Sequence, residues 1–329
     1  MLGSRTSPYL QSKLVLLACE HVFGQVPALV ESLLGVQVSQ SQVYRTAQRA
    51  AFVADESILD EPSDRLSEQL SCSSQTVYGM VDGSMLATDQ GWQETKVGRV
   101  FALEPLQTNQ PRPVAQATLS QQESKPALDA CQQLGPSEYV ALRGNYEEFT
   151  QKFEQLFPPD AACRKVFVSD GAGWMSKWLQ DKYSGATHIL DYYHLKQRLA
   201  SAALAAPDAR GWLQEQENHL FQGRQQAVET AVEALERLDH KSKDQLLAYL
   251  KNNRYRTRYD LYRKEGLLIS SGPVEAAHRT VLQVRMKRSG QRWSERGCDR
   301  MVLLRAAYKS GKFHLITDLF RQENYQCAA

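Results

Sequence analysis

The chain has 329 residues, 42% hydrophobic and 23% charged, with a formal net charge of +2, an ordinary globular composition that excludes wholesale disorder. Its six cysteines (Cys19, Cys72, Cys131, Cys163, Cys298 and Cys327) include no C-x-x-C pair and none beside a histidine at zinc-ligand spacing, so free thiols in a reducing compartment are expected. No apolar run approaches the roughly 20 residues that span a bilayer, and residues 1–20 lack the order of a signal peptide, so a cytoplasmic protein is expected.

Residues 9–53 carry helical periodicity. Within Val26–Ala51 an apolar-periodic helix breaks at Gly35, and Ser39 with Gln42 three residues on forms a capping-box arrangement. This is the outline of a helix-turn-helix, and equally of a plain helical hairpin. In the first case the second helix presents Gln40, Ser41, Tyr44, Arg45 and Gln48 to a DNA groove. Residues 55–74 are polar and Ser-rich, and predict a helix fraying into a linker.

From Val77 the pattern becomes that of strands. Tyr78–Met85, Glu94–Leu103 and Pro113–Leu119 predict a meander, with Gly83 and Gly91 as turn punctuation. There follow a helix at Pro126–Gln133, a short strand at Tyr139–Leu142, a helix at Tyr146–Phe157 and a strand at Val166–Ser169. A helix at Gly173–Tyr183 then leads to a strand at Thr187–Leu190. This alternation predicts parallel pairing in the second half, and hence a mixed sheet covered by helices. Beyond residue 192 the strand signal stops. Val228, Val232, Leu235 and Leu238 recur at helical spacing, which predicts a helical insertion before Glu275.

Three acids stand where elements begin or end: Asp82 in Val-Asp-Gly, Asp170 in Val-Ser-Asp-Gly and Glu275 in Gly-Pro-Val-Glu. Each has a structural explanation. Asp82 can open a hairpin, Asp170 can cap the next helix, and Glu275 suits the dipole of a first helical turn, which Pro273 would start. Together they are also the carboxylates of a two-metal site for in-line phosphoryl displacement, because converging carboxylates need cations to neutralise them. Phosphate-loop, dinucleotide, zincin and nucleophile-elbow motifs are absent. In Asp191-Tyr192-Tyr193-His194, Asp191 ends a strand and caps a helix, and His194 either packs or faces a cleft.

Two basic stretches flank Glu275. Lys251–Lys264 has six Lys or Arg against one acid, with Arg254, Arg256 and Arg258 interleaved with tyrosines. Arg279–Lys312 has ten against two, including Arg279, Arg285, Lys287, Arg288 and Arg292. Solvated helix faces are one explanation and binding to an acidic protein is another; phosphate pairing with base stacking is the third, and the one the doubled run favours.

Taken together, these residues resemble the DDE transposases of bacterial insertion sequences, closest to the Kra-type group and also similar to the Lre-type group. The resemblance runs over nearly the whole chain. The three acids of that family fall on Asp82, Asp170 (followed by Gly171, Ala172 and Trp174) and Glu275. Its Glu-x-Lys element resembles Glu94-Thr95-Lys96, and its Asp-x-x-His element resembles Asp191 to His194. The most specific portion is Arg285-Met286-Lys287-Arg288-Ser289-Gly290-Gln291-Arg292-Trp293, followed by Met301 and Leu304-Arg305.

The resemblance implies an α/β fold with an RNase H-like mixed sheet flanked by helices and an all-helical insertion before the glutamate. It implies Mg2+, two ions with Mn2+ as a substitute, held by Asp82, Asp170 and Glu275, with His194 beside them as a further catalytic residue. It adds Lys96 and Trp293 to the DNA-binding residues Arg45, Arg254, Arg256, Arg258, Arg279, Arg285, Lys287, Arg288 and Arg292. The implied activity is cleavage of double-stranded DNA at terminal repeats and transfer of the 3′-hydroxyl to target DNA by a homo-oligomer, near the nucleoid and away from membranes. Members usually carry a cysteine-rich, zinc-ribbon-like segment ahead of the region that residues 2–51 resemble, and the expectation is that this chain begins after it. The expected organisation is 1–75 helical and DNA-binding, 76–191 the first part of the core, 192–268 the insertion and 269–329 the terminal helix and basic tail. The alternatives are a non-catalytic DNA-binding regulator and, on the same fold, a structure-selective nuclease.

Overall fold

The computed structural model describes residues 6–54, 59–105 and 132–326. In chain order the elements are α1 (Pro8–Glu20), α2 (Val26–Leu34), α3 (Gln40–Val53), α4 (Asp64–Ser71), β1 (Thr76–Thr88), β2 (Gly91–Pro105), β3 (Gln132–Arg143), α5 (Tyr146–Leu156), β4 (Arg164–Ser169), α6 (Gly173–Lys182) and β5 (Thr187–Leu190). A helical series follows: α7 (Tyr192–Ala203), α8 (Ala209–Phe221), α9 (Gln225–Glu233), α10 (His240–Asn253), a 3-10 turn (Arg254–Arg256) and α11 (Tyr259–Lys264). Then come α12 (Gly272–Ala277), a π-helical segment (His278–Gln283), one more helical turn (Val284–Met286), α13 (Glu295–Lys309) and α14 (Phe313–Gln326). The architecture is α/β, a five-stranded mixed open sheet flanked by helices.

The chain divides into two compact units. The first comprises Met1–Phe101, Pro136–Cys163 and Pro273–Ala329; the second comprises Ala102–Gly135 and Arg164–Gly272. In the first, the strand order is β3-β2-β1. The two residues between β1 and β2, Asp89 and Gln90, leave room only for antiparallel pairing. Thr88 Oγ1 accepts from the Gln90 N–H at 3.2 Å and donates to the Gly91 carbonyl at 2.9 Å, which closes the turn. Helices α1 and α3 pack on α13, and α1 also packs on α14. Leu14, Val15, Val43, Ala47, Met301 and Leu304 form the buried centre of this layer, where a fully buried leucine contributes about 1.5–3 kcal/mol.

The expected helix-turn geometry is present. Helix α2 ends at Gly35 with φ 65°, and Ser39 caps α3 by accepting the Gln42 N–H at 3.1 Å. Yet the N-terminal helices share one unit with the C-terminal ones, through long-range bonds. Arg285 Nε donates to the Ala18 carbonyl at 2.9 Å, and Lys309 Nζ pairs with Glu20 at 2.5 Å.

In the second unit β4 pairs in parallel with β5, Val166 opposite Thr187 through Ser169 opposite Leu190. Phe167 packs against Trp178, Tyr183 and His188, and the helices between residues 192 and 264 build the expected insertion. Tyr259, fully buried, donates to the Leu190 carbonyl at 2.9 Å and ties that bundle to β5.

One region differs from expectation. The strand expected at Pro113–Leu119 lies outside the described residues, as does most of the helix expected at Pro126–Gln133. Gln132 and Gln133 are instead the start of β3, which runs through Pro136 and absorbs the short strand expected at Tyr139–Leu142. The reason is position: β3 is an edge strand, where the missing donor of a proline costs no ladder bond. Among the described residues Cys19, Cys72, Cys163 and Cys298 are free thiols.

Candidate active site

Asp82 lies inside β1, not at its end, so it opens no hairpin. Its side chain is 38% exposed, with Oδ1 accepting the Gly83 N–H at 2.7 Å. A side chain at position 83 would place its Cβ 2.5 Å from Glu94 Oε1, so the glycine serves the close approach of that carboxylate. Glu94 pairs in turn with Lys96 at 2.7 Å, and Lys96 also donates to the Gly144 carbonyl at 3.0 Å.

Glu275 is exposed on the first turn of α12. Within the same unit, Arg99 fixes the start of that turn. Buried on β2, it donates to the Pro273 carbonyl at 2.5 Å and to Ser137 Oγ at 3.0 and 2.7 Å. Three residues after Glu275, buried His278 opens the π-helical segment, and its Nε2 stands 3.4 Å from Asp82 Oδ2. This is a close contact without hydrogen-bond alignment, and neither ring nitrogen has a hydrogen-bond partner among the described residues. Burial holds the imidazole below the ordinary histidine range; the Asp82 and Glu275 carboxylates pull the other way, and Lys287 reinforces the depression. Lys287 donates to Ser84 Oγ at 2.8 Å, two residues along β1 from Asp82. Two of the three expected acids therefore act on one buried histidine, with a lysine beside them.

The second unit holds the third acid. Asp170 is exposed after β4, and its Oδ1 accepts the Ala172 N–H at 3.0 Å, which folds the loop instead of capping α6. Gly171 has φ 87°, and a Cβ there would meet Leu190 at 2.9 Å and Tyr249 at 3.3 Å. Both its conformation and its surroundings require glycine. Tyr249 donates to the Asp170 carbonyl at 2.9 Å, under the Arg198 guanidinium at 4.2 Å from its ring centre.

Asp191 is fully buried and caps α7, accepting the N–H groups of His194 at 3.0 Å, Tyr193 at 3.4 Å and Ser271 at 2.8 Å, and pairing with His194 Nδ1. Burial alone would raise its pKa, but the donated hydrogen bonds from His194 and Ser271 carry it below the ordinary carboxylate value. His194 is thus oriented by Asp191, with its side chain 41% exposed.

The expected DNA-binding residues divide by burial. Arg45, Arg258, Arg279, Lys287, Arg288 and Arg292 are exposed, as is Arg254, which is nevertheless paired with Glu229. Lys96, Arg256, Arg285 and Trp293 are closed in. Arg256 bonds Ser176, Asn253 and Ser169. Arg285 lies over the rings of Phe23 and Trp293, and Trp293 Nε1 donates to the Met286 carbonyl at 3.1 Å. His278 and Arg99 were not singled out in the sequence. The signals were there: His278 is one helical turn from Glu275, and Arg99 is a lone cation in the apolar run Val97–Ala102.

Among the described residues no three His, Cys, Asp or Glu side chains form a group able to hold a metal ion, and no helix is long and apolar enough to cross a membrane. These features define an α/β protein with solvent-accessible carboxylates on a sheet strand, after a parallel strand and on the first turn of a helix. The chain belongs to the Uncharacterised protein family (UPF0236), which matches residues 144–322, more than half of its length. No curated protein matches it.

Proposed function

We propose that this protein is a DDE-type transposase, cutting DNA at the ends of an insertion sequence and joining them to a target, with Asp82, Asp170 and Glu275 as its essential acids. The observation that carries the reading is the relation of Asp82 and Glu275 to His278: residues almost two hundred positions apart serve one charged locus. Membership of a family commonly associated with transposases and a mixed sheet of the kind an RNase H-like core requires both support it.

Mg2+ suits these residues by donor type: all three are carboxylates open to solvent, and this hard cation is commonly held by one or two carboxylates, waters and substrate phosphates, without a closed protein cage. When bound, it would supply Lewis-acid activation of water and phosphate. The chain's own contributions follow from its geometry. Arg99 fixes the first turn of α12 and with it Glu275; buried His278 stands against Asp82 at 3.4 Å; Lys287 brings a positive charge to the strand of Asp82, suited to a phosphate oxygen. The DNA partner is double-stranded, and a homo-oligomer is the form that joins two ends together.

The test is cleavage of labelled DNA carrying candidate terminal repeats, with Mn2+, by the wild type and by Asp82→Ala, Asp170→Ala and Glu275→Ala. Nicks lost in all three variants with DNA binding retained are expected. Nicking that survives all three substitutions overturns the assignment, and wild-type binding without any nicking identifies a non-catalytic DNA-binding protein.

A further inference from the structure

The three acids of the proposed chemistry leave His278 without a task. Its side chain is 4% exposed, and neither ring nitrogen has a hydrogen-bond partner among the described residues. A buried polar atom left unbonded costs free energy that a ligand recovers. Two elements of the first unit set the ring in place. It opens the π-helical segment that follows α12, one helical turn past Glu275, and it faces Asp82 on β1. π-Helical turns are rare and recur at functional sites.

The spacing indicates what kind of ligand the ring awaits. His278 Nε2 stands 3.4 Å from Asp82 Oδ2 without the alignment of a hydrogen bond. Two donor atoms held by one divalent ion at about 2.1 Å each are about 3.0 Å apart when they subtend a right angle and about 3.4 Å apart at about 110°. In the second case the ion lies about 35° off the line joining them, so the nitrogen lone pair points at the ion and past the oxygen. A pair arranged to share a cation therefore has the separation of a close contact and the direction of a misaligned hydrogen bond. The carboxylate is available for such an ion. Asp82 Oδ1 accepts the Gly83 N–H at 2.7 Å, while Lys287, the cation beside this locus, is tied to Ser84 Oγ at 2.8 Å. With its side chain 38% exposed, Asp82 is reached from solvent.

We infer that His278 is a nitrogen ligand of the ion at Asp82, and that this position therefore favours a first-row transition ion such as Mn2+ over Mg2+. The inference rests on the metal-dependent reading proposed above and adds a donor to its three acids. Mg2+ is a hard cation that takes oxygen ligands, whereas imidazole suits the transition metals. One carboxylate and one imidazole leave the other coordination positions to water and phosphate oxygens, so the ion remains free to take substrate.

The experiment is Mn2+ binding by the full chain without DNA, read by electron paramagnetic resonance for affinity and by electron spin-echo modulation for the nuclei around the ion. No cleavage is involved, so its outcome and that of the nicking assay are separate. Nicking without nitrogen at the ion keeps the three acids and drops His278 as a ligand; nitrogen at the ion without nicking keeps the ligand and drops the transposase reading. The wild type should show modulation from an imidazole nitrogen. His278→Asn should lose it, bind Mn2+ at least about tenfold more weakly, and narrow the preference for Mn2+ over Mg2+ in competition titrations. Asp82→Asn should lose the same signal. Bound Mn2+ without nitrogen modulation in the wild type overturns the proposal, and that result depends on no variant folding. Modulation that persists in His278→Asn places the ion at another histidine and overturns it too, as does a wild type that binds no Mn2+.

Discussion

Arg256 Nη2 donates to Ser169 Oγ at 2.5 Å, the residue immediately before Asp170. The same guanidinium holds Ser176 Oγ at 2.9 Å and Asn253 Oδ1 at 3.0 Å, so one side chain joins β4, α6 and the end of α10. It is 1% exposed, all three of these acceptors are neutral, and burial lowers its pKa. Within a basic stretch that reads as a phosphate-binding surface, this arginine is a positioning residue for the Asp170 loop.

Arg256→Met keeps the length and removes the hydrogen bonds, and should cost about 2 kcal/mol of stability, as loss of charge-assisted bonds does. Denaturant unfolding measures the stability. DNA affinity and its salt dependence should be unchanged, while nicking falls with the displaced loop. Reduced affinity with unaltered stability would mean that Arg256 leaves the interior to contact DNA. Arg256→Lys should recover little, since an ammonium cannot span three acceptors in the guanidinium fork.

The motif from Arg285 to Trp293 should separate into two halves by experiment. Arg285 is fully buried, bonded to the Ala18 carbonyl and stacked over Phe23 and Trp293, and burial takes its pKa down to about 10. Arg285→Ala should therefore destabilise the fold by about 3 kcal/mol, through lost stacking and an orphaned carbonyl. Arg288→Ala and Arg292→Ala, both at exposed positions, should change stability by less than about 0.5 kcal/mol. Each should instead lower the salt slope of DNA binding by about 1. Thermal melts and salt-titrated anisotropy on the three variants decide between the halves.

That split marks where the sequence ceases to inform. Short apolar runs between glycines gave β4 and β5 nearly to the residue, and Ser39 with Gln42 gave the cap of α3, because periodicity and capping are local properties. Which face of a basic run is buried is not local. It depends on partners such as Ala18 for Arg285 or Ser169 for Arg256, far away in the chain. The edge position of β3, which excuses Pro136, is likewise a property of the sheet. His278 escaped notice because its role comes from Asp82, on a strand almost two hundred residues earlier. Asp191 was legible as a cap, but its bond to the Ser271 N–H, which anchors the chain just ahead of Glu275, was not.

That last bond makes Asp191 a testable anchor. Asp191→Ala would strand the N–H groups of Ser271 and His194 and free the His194 ring, and should cost about 3 kcal/mol. Asp191→Asn retains one acceptor and should cost less. His194→Ala removes only a side chain that is 41% exposed, so its effect on unfolding should be the smallest of the three. If His194→Ala proves as damaging to stability as Asp191→Ala, the cap is not what fixes this corner.

His188 gives the fold of the second unit a pH dependence of known sign. It lies on β5 against Phe167, with Nε2 3.2 Å from the Tyr183 carbonyl. Burial lowers its pKa from 6.5, the Tyr183 carbonyl raises it in part, and Arg256 lowers it further. The unfolded chain therefore binds this proton more readily than the folded one. Its contribution to stability is fully present above pH 6.5 and is lost as the pH falls from there through the folded-state value. Urea unfolding at about pH 7.5 and about pH 5.5 should show the wild type losing more stability on acidification than His188→Gln, whose amide can still donate to Tyr183 but does not titrate. Equal losses in the two proteins would assign the acid sensitivity to other groups, and a wild type that gains stability on acidification would contradict the burial of an uncharged imidazole at this position.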